Sequence, residues 1–171
     1  MKVIIHTDGS GINRKDKWNS GHGGCGVVMD YGDNHAQHHF GIFKNTTSAR
    51  MEIFAIIKSL DLVEPGFEIE IRTDNQYCQK TISLQWYETW IMRGEHRKLS
   101  TDKSAKKNMD LWLRFKKLYD KHIAGGSIIH LVWVKGHNNH KGNELADKLA
   151  YKGRTNKNNI VNDDRNGIYS I

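Results

Sequence analysis

Apolar and polar positions repeat along this chain in two periods, and the switches between them mark its elements. Val3, Ile4 and Ile5 run into Thr7-Asp8-Gly9-Ser10, a β-branched run closed by a carboxylate and a glycine, which reads as a strand. Phe67-Glu68-Ile69-Glu70-Ile71-Arg72-Thr73-Asp74 alternates strictly, the signature of a half-buried strand. Segments 26–29, 39–43 and 128–134 read as three further strands, and 12–24 as a long, polar hairpin loop. Helical spacing governs the rest. Met51, Ile53, Phe54, Ile56, Ile57 and Leu60 form a broad stripe on a helix that Thr46, Thr47 or Ser48 caps and Pro65-Gly66 ends. A second helix starts at Asn75 and runs through Tyr77, Ile82 and Leu84 towards Trp90. Trp112, Phe115, Tyr119 and Ile123, flanked by Leu111 and Leu118, mark a third, which Gly125-Gly126 stops. Residues 141–152 read as a short fourth. The order βββαβααβα predicts an α/β fold, a mixed sheet with helices on its faces. Trp112 and Trp133 lie in apolar periodic runs and are expected in the core. From Arg154 the chain turns polar and Asn-rich, so 154–171 is expected to be a loose tail.

No run approaches the roughly 20 apolar residues of a membrane span, and the N-terminus lacks a signal-peptide core. Cys25 and Cys78 are too few for a disulfide framework, so free thiols and a cytoplasmic protein without a membrane or disulfide partner are expected. The formal net charge is +7. Residues 93–121 hold ten Lys/Arg against four Asp/Glu, so most of the excess sits in one place, as a polyanion-binding surface would require.

Four acids then stand out. Asp8 and Asp74 each end a strand in a Thr-Asp-Gly/Asn context; Glu52 lies about one turn into the first helix; Asp147 shares a helix face with Asn143 and Glu144. Taken singly, Asp8 is a turn-maker and Glu52 and Asp147 are solvated helix residues. If the first and fourth strands are neighbours, however, Asp8 and Asp74 end side by side and repel unless a cation neutralises them. Mg²⁺ suits such a site, being a hard cation held by a few carboxylates and water. The pair His137 and His140 has no cysteines or helically spaced partner to complete a zinc site. His35, His38 and His39 read as surface residues, and His6 as a packed sheet residue.

Thr7-Asp8-Gly9-Ser10, Ala49-Arg50-Met51-Glu52, Thr73-Asp74-Asn75-Gln76-Tyr77 and Val134-Lys135-Gly136-His137 followed by Asn143-Glu144-Leu145-Ala146-Asp147 resemble the type 1 ribonuclease H family of bacterial kind, over about residues 2–152. The resemblance implies a ribonuclease H-like fold with a five-stranded mixed sheet, and endonucleolytic cleavage of the RNA strand of RNA–DNA hybrids. By the same resemblance Asp8, Glu52, Asp74 and Asp147 hold two Mg²⁺ ions, with Mn²⁺ an alternative. His137, on a glycine-flanked loop, assists proton transfer or product departure. Gly9, Ser10, Asn75 and Gln76 meet the hybrid, where 2′-hydroxyls distinguish RNA from DNA. Thr47 and Arg50 correspond to a pocket for a DNA-strand phosphate, although Ser48 and Ala49 replace the family's usual Asn residues between them. Asn143 is a further substrate-binding candidate.

Residues 85–117 resemble the family's basic protrusion, carrying Trp86, Trp90, Arg93, Arg97, Lys98, Lys103, Lys106 and Lys107. Residues 1–153 thus read as one catalytic domain that works as a monomer on RNA–DNA hybrids. Residues 14–20 look like an insertion in the first hairpin. Two rivals stand beside this reading: a DNA-cutting nuclease of the same superfold, such as a junction resolvase or transposase-type enzyme, and a non-catalytic hybrid-binding module.

Overall fold

The β-branched start of the chain forms β1 (Lys2–Gly11), and β2 (His22–Asp30) returns antiparallel to it, followed by β3 (Ala36–Lys44). A computed structural model describes residues 1–11, 21–32, 36–98, 106–136, 138, 140–156 and 161–162. The remaining elements are α1 (Ser48–Leu62), β4 (Glu68–Thr73), α2 (Gln76–Ser83), α3 (Trp86–Met92), α4 (Met109–Ala124), β5 (Ile128–Trp133), α5 (Lys141–Thr155) and β6 (Val161–Asn162). The sheet runs β5-β4-β1-β2-β3, with the two-residue β6 added parallel to the outer edge of β3. β1 pairs parallel with β4, and β4 with β5. The expected mixed five-stranded sheet is therefore present. The segment read as a loose tail contributes the extra edge pairing at Val161–Asn162, and α5 runs on to Thr155.

Opposite sheet faces are covered by different helices. Thr47 caps α1, its Oγ1 accepting the Arg50 N–H at 3.3 Å, and every apolar residue of the anticipated stripe is buried. Helix α1 approaches so closely that a Cβ on Gly9 would collide with the Met51–Glu52 backbone. Across the sheet, a Cβ on Gly26 would strike the Ala146 carbonyl of α5. Ala146 and Ala150 are fully buried against this face, so small residues on both sides set the depth at which α5 seats.

Three expectations need correction. The anticipated second helix breaks into α2 and α3 because Gln85 adopts a left-handed conformation (φ 54°), which turns Tyr87 into a fully buried ring cluster with Trp112 and Phe115. In the last turn of α4, Ile123 is exposed and His122 takes the inward place. Both His122 ring nitrogens have partners there, Ser127 Oγ at 3.1 Å and the Leu60 carbonyl at 2.7 Å, so the imidazole is accommodated without an unpaired polar atom. Trp112 is in the core, but Trp133 is 42% exposed, since it ends the outermost strand. Cys25 and Cys78 are buried free thiols. Among the described residues, no helix is long and apolar enough to cross a membrane.

Candidate active site

Parallel pairing of Thr7 with Thr73 brings two carboxylates together, because Asp8 and Asp74 are the next residues on adjacent strands. The absence of a side chain at Gly9 lets α1 close down and deliver Glu52 to the same point. One carboxylate oxygen from each of Asp8, Glu52 and Asp74 lies within 4.8 Å of the others. Asp147 reaches Asp8 from α5 on the opposite face, close enough for its charge to act on the Asp8 carboxyl.

Crowding shows in the protonation of these groups. Burial, followed by the charges of Asp74 and Asp147, pushes the Asp8 carboxyl from 3.8 to about 7. Burial and the charges of Asp8 and Asp74 hold Glu52 well above its ordinary value, with hydrogen bonds from Asn75 and the Gly9 amide partly opposing them. Such a cluster is costly alone and is relieved by a cation. Its donors suit one: all are hard carboxylate oxygens, and Glu52 Oε2 is buried with no hydrogen-bond partner among the described residues. The set can therefore hold a divalent metal ion.

The flanking residues divide between contact and support. Gly9 and Ser10 are partly exposed beside the acids, and Gln76 is exposed at the start of α2. The Asn75 side chain caps α2, accepting the Cys78 N–H at 3.0 Å. Thr47 is exposed. Arg50 is 3% exposed and bound to Asp110, at 3.0 Å to Oδ1 and 2.6 Å to Oδ2, and to Asn108 at 3.4 Å. Its guanidinium thus ties α1 to the start of α4. Asn143 is also 3% exposed and donates to Asp74 Oδ2 at 3.4 Å, which makes it a neighbour of the carboxylates buried beneath the surface. On the basic protrusion, Trp90 is half-buried, stacks on Tyr77 with centroids 6.4 Å apart, and carries Lys106 Nζ 5.4 Å from its ring centre. Lys107 is exposed. Lys103, His137 and the insertion at 14–20 lie outside the described residues.

Two contacts at the site had no counterpart in the sequence reading. Trp133 Nε1 donates to the Asp74 carbonyl at 3.0 Å, and a Cβ on Gly136 would come within 2.6 Å of Asp74 Oδ2. The apolar run around Trp133 points to the core and carries no signal for what its indole N–H meets. For Gly136, its place beside His137 was the available hint.

The sequence profile of the RNase H family matches residues 1–155. The ribonuclease H of Polynucleobacter asymbioticus is 42% identical over 151 residues, covering 88% of each chain. That of Cupriavidus pinatubonensis is 40% identical over 153 residues, covering 90% of this chain and 95% of the relative. The crystal structure of LC9-RNase H1, a type 1 RNase H with the type 2 active-site motif, superposes with a TM-score of 0.71 at 24% identity, over 89% of this chain and 71% of its own, and so speaks for the fold. With strands β1 to β5 and the acid-bearing segments inside the matched region, the chain belongs to the RNase H family.

Proposed function

We propose that the protein is an endoribonuclease that hydrolyses the RNA strand of RNA–DNA hybrids with two Mg²⁺ ions. The observation that carries this reading is the convergence of the Asp8, Glu52 and Asp74 carboxylates within 4.8 Å, with Asp147 beside Asp8. These four residues would hold the metal ions. When bound, the ions lower the cost of deprotonating the attacking water and of releasing the 3′-oxygen.

The chain's own groups supply the rest. Gly9, whose Cβ side is filled by α1, offers the hybrid its backbone beside the acids, and Ser10, Asn75 and Gln76 read the 2′-hydroxyls. Thr47 is the exposed member of the phosphate pocket for the DNA strand, and Arg50 supports it from beneath, its guanidinium fork held by Asp110. Trp90, Lys103, Lys106 and Lys107 grip the hybrid by its backbone. Asn143 serves by holding Asp74, which its burial supports. His137 follows Gly136, whose backbone lies against the Asp74 carboxylate, and moves a proton to or from the reacting oxygens. The catalytic domain, that of a cytoplasmic monomer, runs to the end of α5 at Thr155, and the segment after it adds the β6 edge pairing.

The test is an end-labelled RNA–DNA hybrid incubated with and without Mg²⁺, beside duplex RNA, duplex DNA and single strands. Metal-dependent cutting of the hybrid's RNA strand alone is expected. Cut DNA beside intact hybrid would overturn the reading in favour of a DNA nuclease; tight hybrid binding without cutting would reduce it to a binding module.

A further inference from the structure

Asp74 is the first residue beyond the sheet on both sides. The pairing of β4 stops at Thr73, opposite Thr7 on β1 and Trp133 on β5. Among the described residues no strand residue is paired with Asp74 itself, so its carbonyl takes a donor from outside the ladders. The Trp133 indole supplies one, its Nε1–H donating to the Asp74 carbonyl at 3.0 Å. At 42% exposure the ring is poorly explained by hydrophobic burial. The same short stretch donates the Val134 N–H to the Thr73 carbonyl at 3.0 Å and sets Gly136 against Asp74 Oδ2. From α5, Asn143 holds that Oδ2 at 3.4 Å.

We propose that Trp133 is a positioning residue: by holding the Asp74 carbonyl, it fixes the direction in which β4 presents the Asp74 carboxylate to Asp8 and Glu52. The inference rests on the proposed reading of the site as a metal-dependent hydrolase. Metal ligands depend on partners of this kind, and losing one weakens metal affinity or turnover by about 10-fold or more. Trp133 acts through Asp74 and does not itself touch the reacting atoms.

The experiment compares the full chain with Trp133→Phe, which keeps an aromatic ring and removes the donor. A second variant carrying β-(3-benzothienyl)alanine at position 133 keeps the bicyclic shape as well and decides the matter should Trp133→Phe lose its circular dichroism spectrum. Calorimetric Mn²⁺ titration of the free proteins, amide hydrogen exchange over residues 74–78 and hybrid affinity in EDTA are read alongside kcat and KM. The expected result is Mn²⁺ affinity weakened about 10-fold, faster exchange, a kcat lowered to a similar extent and KM and hybrid affinity little changed. Unchanged metal affinity and exchange would overturn the proposal. So would weakened hybrid binding with metal binding intact, which would make the indole a stacking surface. Failure of the unaltered chain to cut hybrid would strike the proposed function instead, a result the metal titration does not touch.

Discussion

Asp8→Asn should make the metal-free protein more stable while removing its activity. Asp8 is 8% exposed, and its carboxyl is pushed from 3.8 to about 7, by burial first and then by Asp74 and Asp147. Between those two values the native state binds more protons at this group than the unfolded chain does, so stability falls as pH rises through the window. A rise of about 3 pH units corresponds to a ceiling of about 4 kcal/mol once both states are ionised. Relaxation of the neighbouring side chains and entry of water relieve part of this repulsion, so the expected gain at pH 8 is on the order of 2 kcal/mol. Asn has the same shape and no charge, and its Oδ1 can still accept the Gly9 amide, which lies 2.6 Å from Asp8 Oδ1. Urea unfolding in EDTA at pH 8 and pH 4, followed by circular dichroism, measures the effect. The variant's advantage should be present at pH 8 and shrink towards zero at pH 4, with unchanged m-values. Added Mg²⁺ should narrow it at pH 8, because the wild type alone keeps its full set of ligands. An advantage independent of pH, or a loss at pH 8, would refute the reasoning.

Gly26→Ala places a Cβ against the Ala146 carbonyl and within 2.9 Å of the Ala150 amide nitrogen, both backbone atoms of α5. The melting temperature should fall by roughly 4–10 °C as the helix is forced off the sheet, and Asp147 moves with it; an unchanged midpoint in calorimetry would contradict the close seating. Neutralising Lys103, Lys106 and Lys107 together should weaken hybrid binding and reduce the slope of log Kd against log salt by up to about 3, and a slope that stays put in fluorescence titrations would remove the protrusion from the interface.

Much of the site was readable because its acids sit where patterns end. Strict alternation up to Thr73 fixes both the strand and the place at which Asp74 leaves it, and the β-branched run does the same for Asp8. Glu52 and Asp147 followed from their helices and from the family resemblance. What escaped depends on meetings that periodicity does not encode. A left-handed Gln85 breaks a helix with no glycine to announce it. His122 replaces Ile123 inside because two acceptors or donors happen to await its ring. The apolar run pointed Trp133 to the core but could not say that the end of the outermost strand lies open. Arg50 and Asp110 are sixty residues apart, and nothing local marks them as partners.

The four carboxylates come from four different places in the chain: β1, α1, the residue that follows β4, and α5. Successive members are 44, 22 and 73 residues apart in the chain. Each must be carried home by long-range closure, the slow part of folding for a sheet with parallel pairings. The last acid arrives only when α5 docks over the strands that hold the first. Under the proposed mechanism, turnover is therefore a test of the entire topology. A chain still emerging from the ribosome, or one whose final helix has come undone, carries the basic protrusion and three of the acids but not the finished centre. Under the proposal, no form of the protein that lacks the docked α5 holds the full set of acids.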